Sequence, residues 1–371
     1  MVPFSQAKNI DLKELVLILA GGLAWLSVYL KRKQVLAKLS PFSVVLLASF
    51  IFGCLANGLF YHAATNLFDL PFTRLGLVGL LACAGCGLAL MLISGRKIMR
   101  WFYASTVLMA VAALPFDLAS GQIGGRPGGL FYQADILAVF MGIGLLLGIY
   151  LWRIYPARKV WLLIAQALML TILLLTQTRA VIFILVFLAL MIIYNLTQRR
   201  LLAFTVLAAL VLMIYGLHVL VPTRLTDPGY VVESVSYRLS LQKSALSAVK
   251  QMRFFGYGGG NIMRALPCYN LQAPKLLVSC KQGYYFNSSH NVFIDRLLTL
   301  GWWGGLSYAL FVSFSLFKGW QQGSKRILFY CALLIGAYYF TNITNIELEL
   351  WFWVILLQIS KFKSLTESEK C

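Results

Sequence analysis

The chain has 371 residues, of which 60% are hydrophobic and only 12% charged, with a mean hydropathy of +0.80. So little polar surface excludes a soluble globular domain and indicates an integral membrane protein. A formal net charge of +20 would suit a nucleic-acid binder, but the placement of the charges, described below, argues for a membrane protein and no nucleic acid.

In chain order, apolar stretches long enough for a bilayer core of about 30 Å fall near 12–30, 42–60, 75–93, 101–119, 134–151, 160–177, 180–197 and 201–220. A polar segment, 221–291, follows, and three more stretches lie near 292–316, 327–341 and 346–360. The last two are short and close together. No internal repeat or low-complexity linker interrupts them, so residues 1–371 read as one polytopic, all-α membrane domain carrying one inserted loop. Lys31-Arg32-Lys33 follows the first span where a cleavable signal would need small residues.

Basic residues gather in alternate short connections. They are Lys31 to Lys38, Arg96 to Arg100, Arg153 to Lys159, Arg199 and Arg200, Lys318 to Arg326, and Lys361 and Lys363. That alternation is the positive-inside pattern, and it predicts an external N-terminus, an internal C-terminus and an external long loop. Within the loop, Leu239, Leu246, Val249 and Met252 opposed by Lys243, Ser247 and Lys250 predict an amphipathic surface helix over 236–252. Gly256-Tyr257-Gly258-Gly259-Gly260 then predicts a turn whose backbone passes close to a neighbour; it lacks the lysine and context of a phosphate-binding loop.

Cys54, Cys83, Cys86 and Cys331 lie in spans, where they serve as small apolar residues. Cys83 and Cys86 have redox or zinc spacing but no histidine beside them. Cys268 and Cys280 are the two cysteines of the external loop, and an oxidising compartment favours a disulfide between them; two free thiols are the alternative.

Few ionisable residues fall near the middle of a span, where ion-coupled transporters place theirs. They gather at the external ends: Asp117, Arg126, Asp135, Arg179, His218, Asp295, Arg296, Glu347 and Glu349. This predicts a site at the outer membrane boundary. Arg179, in Thr176-Gln177-Thr178-Arg179-Ala180, opens a helix whose dipole disfavours a cation there but suits a bound phosphate. A snorkelling interfacial arginine is the plainer reading. Arg126, between glycine pairs, and Arg238, near the start of the loop helix, are candidate partners for a pyrophosphate.

His290 precedes the span starting at 292, with Asn291 as a helix cap. An unperturbed histidine titrates near ~6.5, so a general base is the functional reading and an interfacial histidine bonded to a carbonyl the structural one. With His62 and His218 badly spaced relative to His290, no metal site is expected.

At these residues the chain resembles the O-antigen ligase and polymerase superfamily of Gram-negative inner membranes. Thr176-Gln177-Thr178-Arg179-Ala180 looks like the ligases' arginine motif. Tyr237-Arg238 with Phe255-Gly256-Tyr257-Gly258 is similar to the arginine helix and glycine turn of their periplasmic loop. His290-Asn291, with Gly301 and Gly304, looks like their histidine motif, and Arg126 with Gly129 and Phe131 echoes an earlier one. The second half of the chain carries the resemblance; the first half shares only hydropathy.

The resemblance implies a bundle of about 11–12 transmembrane helices of the lipid-carrier (GT-C-like) glycosyltransferase type, with its site facing the periplasm. It implies an enzyme without cofactor or metal that moves O-antigen polysaccharide from undecaprenyl pyrophosphate to a lipid A–core sugar hydroxyl with inversion. His290, Arg179 and Arg238 would be catalytic, and Arg126, Asn291 and Glu347 would bind substrate. Membrane lipids would surround it. A polymerase or a protein-directed oligosaccharide transferase is the nearest alternative, and a non-catalytic flippase a more distant one.

Overall fold

The structure is a computed structural model that describes residues 12–60, 77–119, 127–128, 133–197, 228–258, 288–342 and 346–361. The apolar stretches form helices: α1 (Leu12–Leu30), α2 (Arg32–Lys38), α3 (Pro41–Phe60), α4 (Leu77–Leu90), α5 (Gly95–Ala119), α6 (Ala134–Ile154), α7 (Lys159–Leu175) and α8 (Arg179–Thr197). After the long-loop helix α9 (Pro228–Gln251) come α10 (Val292–Gln321), α11 (Arg326–Tyr339) and α12 (Ile346–Ser360). The stretch expected near 201–220 lies outside the described residues, as do Arg126, Cys268 and Cys280.

Among the described residues, α3, α6, α7 and α10 are long and apolar enough to cross a membrane by themselves. The pair α1 and α2, bent by 87°, makes a fifth if counted as one span. Helices Leu77–Leu90, Arg179–Ile192 and Arg326–Tyr339 are shorter apolar pieces. An all-helical membrane protein is the result. Its backbone groups are satisfied within helices, as a bilayer requires, and its outer faces are apolar: Leu19, Leu23 and Leu26 on α1 and Val160, Trp161 and Leu163 on α7 are exposed.

The interior is built around α6, whose Ile136, Leu137, Ala138, Val139, Met141 and Ile143 are fully buried. An aromatic cluster joins α3, α10 and α12, with Phe50 and Phe311 at 5.1 and 5.4 Å from Trp353. The two ends of the bundle differ. At one, Lys325 Nζ donates to Ile359 O and Lys361 Nζ to Ile93 O, both at 2.9 Å, and Leu39 pairs with Lys361. Cations there meet helix C-terminal carbonyls, a favourable arrangement. At the other end lie the starts of α6, α8, α10 and α12.

The span expected near 292–316 is broken. Gly301 has φ 71°, ψ −171°, and the segment after α9 fills the break. Tyr257 N donates to Leu298 O at 2.8 Å, Gly258 N to Thr299 O at 3.1 Å, and Trp302 N to Phe254 O at 2.9 Å. Asn57 of α3 donates to Thr299 O at 2.8 Å and also reaches Phe255 O. The carbonyls and amide freed by the kink are thus re-paired, as burial demands. Gly256 and Gly301 both have positive φ, and a β-carbon on either would collide with the backbone of the other segment. This is the close approach the glycine turn predicts.

Helix α9 spans 228–251, longer than the 236–252 expected, and its packing face differs in part. Leu241, Ser244, Ala245, Ala248 and Val249 are buried, the alanines and Val249 packing with Leu298 of α10, whereas Leu239 and Leu246 are exposed. Small residues let α9 lie close on α10; of the expected apolar stripe Val249 and Met252 pack there, with Lys243, Ser247 and Lys250 exposed as expected, while Leu239 and Leu246 stay outside the contact.

Candidate functional site

Three segments meet at the non-basic end. The first is the α7–α8 turn. Leu175 ends α7, Thr176 donates to Leu173 O at 2.6 Å, and Gln177 adopts φ 52° before Arg179 opens α8. The second is the start of α6, where Asp135 sits in the first turn and accepts the Thr178 hydroxyl at 3.0 Å. The third is the 288–291 loop together with the Tyr237–Arg238 turn of α9.

His290 has φ 56°. Gln177 and His290 are the non-glycine residues with positive φ among the described residues, and both lie in the turns of this site. A left-handed conformation costs an ordinary L-residue roughly 1–2 kcal/mol, so surrounding bonds must hold it. They do. Ser288 Oγ accepts His290 N–H at 3.0 Å, and Gln242 of α9 reaches His290 O at 3.4 Å and Phe340 O at 3.1 Å. Asn291 caps α10 as expected: its Oδ1 accepts from Phe293 N and Ile294 N at 3.1 and 3.2 Å. Its Nδ2 donates to Phe340 O at 3.2 Å, so both ends of the side chain are engaged in holding the loop.

The imidazole of His290 stands edge-on to the Tyr237 ring, centroids 5.8 Å apart. Its Nδ1 is buried without a hydrogen-bond partner among the described residues. Burial, and next the Arg238 guanidinium, push its pKa down to about 4, while the Asp135 carboxylate pulls the other way. Burial and the Arg238 charge together favour the neutral ring. Burial also raises the Tyr237 hydroxyl. His290 is therefore neutral at pH 7 and flanked by one cation and one carboxylate.

The segment that holds these turns, residues 164–309, matches a family model described as O-antigen ligase. Over this segment the chain is similar to O-antigen ligases. No curated protein and no solved structure matches it.

The matched segment brings His290 and Arg238 within electrostatic reach of each other, and its Thr178, the residue before Arg179, bonds to Asp135 of the earlier helix α6. Arg179 itself is half-buried at the head of α8. Glu347, half-buried in the first turn of α12, lies outside the matched segment. In the sequence Asp135, Asp295, Arg296 and Glu349 stand out only as end-of-span charges. Asp295, Arg296 and Glu349 are instead buried in the bundle, at 7%, 6% and 0% exposure. Glu349 accepts from Tyr339 Oη at 3.0 Å, Trp353 Nε1 at 3.2 Å and Tyr308 Oη at 3.3 Å, and faces Arg296 at 3.6 Å. An acid in an apolar stretch signals a buried partner. That signal was present, and pointed to Glu349 as well as Glu347.

Proposed function

We propose that this protein is a GT-C-like glycosyltransferase that moves O-antigen polysaccharide from undecaprenyl pyrophosphate to a sugar hydroxyl of lipid A–core, at the periplasmic face of a Gram-negative inner membrane. One observation carries the reading: a neutral histidine, held in a left-handed turn, lies within electrostatic reach of an arginine at the polar end of a membrane bundle.

The chemistry follows from that pair. The acceptor O–H attacks the anomeric carbon as the bond from that carbon to the pyrophosphate oxygen breaks. His290 takes the hydroxyl proton, and pyrophosphate leaves on its polyprenyl carrier. Backside attack inverts the anomeric centre. A weak nucleophile needs a base, and base catalysis contributes about 10²–10⁴-fold. Pyrophosphate is already a good leaving group and needs positive charge rather than a strong acid. Arg179, with the amides opening α8, and Arg238 supply it, with no metal ion required. Asp135 is placed to favour the imidazolium that forms once His290 holds the proton. Arg126 completes the anion-binding set. Asn291 serves by holding His290 in place, and Glu347 contributes to substrate binding. A Cys268–Cys280 disulfide braces the external loop.

A deletion strain tests the assignment. It should build lipid-linked polymer and leave lipid A–core bare. Accumulation of single lipid-linked repeats would show a polymerase instead.

A further inference from the structure

We propose that Asp295 is a positioning residue for His290, acting through Ser288 and Ser289. The inference rests on the reading of His290 as the general base. Asp295 lies in the first turn of α10, five residues after His290, with its carboxylate turned back over the preceding loop rather than toward the bundle's outside. Its Oδ2 accepts the Ser288 hydroxyl at 2.5 Å and its Oδ1 accepts Ser289 N–H at 2.8 Å. Ser288 Oγ, so oriented, accepts His290 N–H at 3.0 Å, and Ser289 Oγ donates to Asn291 O at 3.2 Å. Asp295 N donates to Asn291 O at 2.9 Å, closing the ring from the helix side.

The chain of bonds has a direction. A hydroxyl has one proton; Ser288 gives its own to Asp295, which leaves its lone pairs facing His290 N–H. Charge-assisted acceptance makes the first bond the strong one. The carboxylate thus fixes the hydroxyl, and the hydroxyl fixes the backbone amide of a residue in an unfavourable φ. Without that anchor the peptide at 290 is free to relax to an ordinary conformation, carrying the imidazole away from Tyr237 and Arg238. A displacement of about 1 Å at such a site costs about 10²-fold in turnover.

The decisive variant is Ser288→Ala, which removes the relay without changing any charge, with Ser288→Thr as the control that keeps the hydroxyl. The histidine ring signals of purified, ¹⁵N-histidine-labelled protein are followed through a pH titration; the chain has 3 histidines, and His290→Gln assigns the relevant one. In the wild type the His290 signal should stay neutral to about pH 4. In Ser288→Ala its midpoint should climb toward the ordinary ~6.5 as the ring meets water, and turnover should fall about 10²-fold at unchanged donor KM. Ser288→Thr should restore both, and Asp295→Asn should lower turnover as Ser288→Ala does. An unmoved midpoint with unchanged turnover in Ser288→Ala overturns the proposal. A moved midpoint with unchanged turnover keeps Asp295 as the anchor and removes His290 from the chemistry, so the two failures read differently.

Discussion

Arg296 and Glu349 face each other at 3.6 Å inside the bundle, joining the first turns of α10 below His290 to the first turn of α12. Tyr308, Tyr339 and Trp353 complete the carboxylate's bonds, whereas Arg296 Nε and Nη2 have no hydrogen-bond partner among the described residues. The pair thus depends on its opposite charges. Removing one member leaves an uncompensated buried charge, a loss of about 3–5 kcal/mol, while replacing both with apolar residues is often neutral. Glu349→Ala should therefore accumulate poorly and unfold at lower temperature in detergent, and Arg296→Met with Glu349→Leu should recover much of the loss. Thermal unfolding followed by tryptophan fluorescence measures both.

The stitch between the glycine turn and the broken helix makes a second prediction. Gly301→Ala places a β-carbon against Phe254 O and Gly256 N and demands a positive φ of alanine. With ψ −171° this is a backbone region essentially restricted to glycine, costing other residues about 1–3 kcal/mol. The expected outcome is release of the Phe254–Gly258 segment and of α9, seen as faster proteolysis within 228–258 while the remaining helices persist.

The pH dependence follows from the lowered pKa of His290. Its folded value, about 4, lies below the unfolded ~6.5, so the neutral form is favoured by folding. The associated stability is present above about 6.5 and is lost as pH falls toward about 4. A base with this pKa stays competent through the neutral range, so kcat/KM should show its acid limb near 4 rather than near 6.5. Arg238→Ala removes a cation that lowers the pKa and should move the limb upward. Asp135→Asn removes the opposing carboxylate and should move it downward.

The arginines separate charge from shape. On the proposed function, Arg179→Lys keeps the positive charge but cannot offer a phosphate a planar two-pronged contact, so transfer should fall despite the conserved charge. Arg179→Ala and Arg238→Ala should each leave lipid-linked polymer unused, accumulating on the outer leaflet. Quantifying carrier-linked against core-linked polymer in cells checks all three.

Hydropathy made the helices legible, because long apolar runs with basic connections admit few other readings. The residues with local signatures, Arg179 at a helix start and Asn291 as a cap, were equally legible. What escaped was set by partners distant in the chain: Thr178 with Asp135, Arg296 with Glu349, and Gln242 with Phe340. A periodicity argument finds Val249 and Met252 on the packing face of α9 but misses Ala245 and Ala248 beside them. The Gly301 break has no hydropathy signal, since the apolar run continues through it.

On the proposed function, the protein cleaves and transfers its lipid-linked donor rather than moving it intact. The direct measurement incubates purified protein with undecaprenyl-pyrophosphate-linked polysaccharide and lipid A–core, with a chelator and without nucleotide, and follows release of undecaprenyl pyrophosphate. Stoichiometric release with polymer on the core, lost about 10²–10⁴-fold in His290→Ala, is the predicted result. Transport of intact donor across liposomes with no cleavage would contradict it.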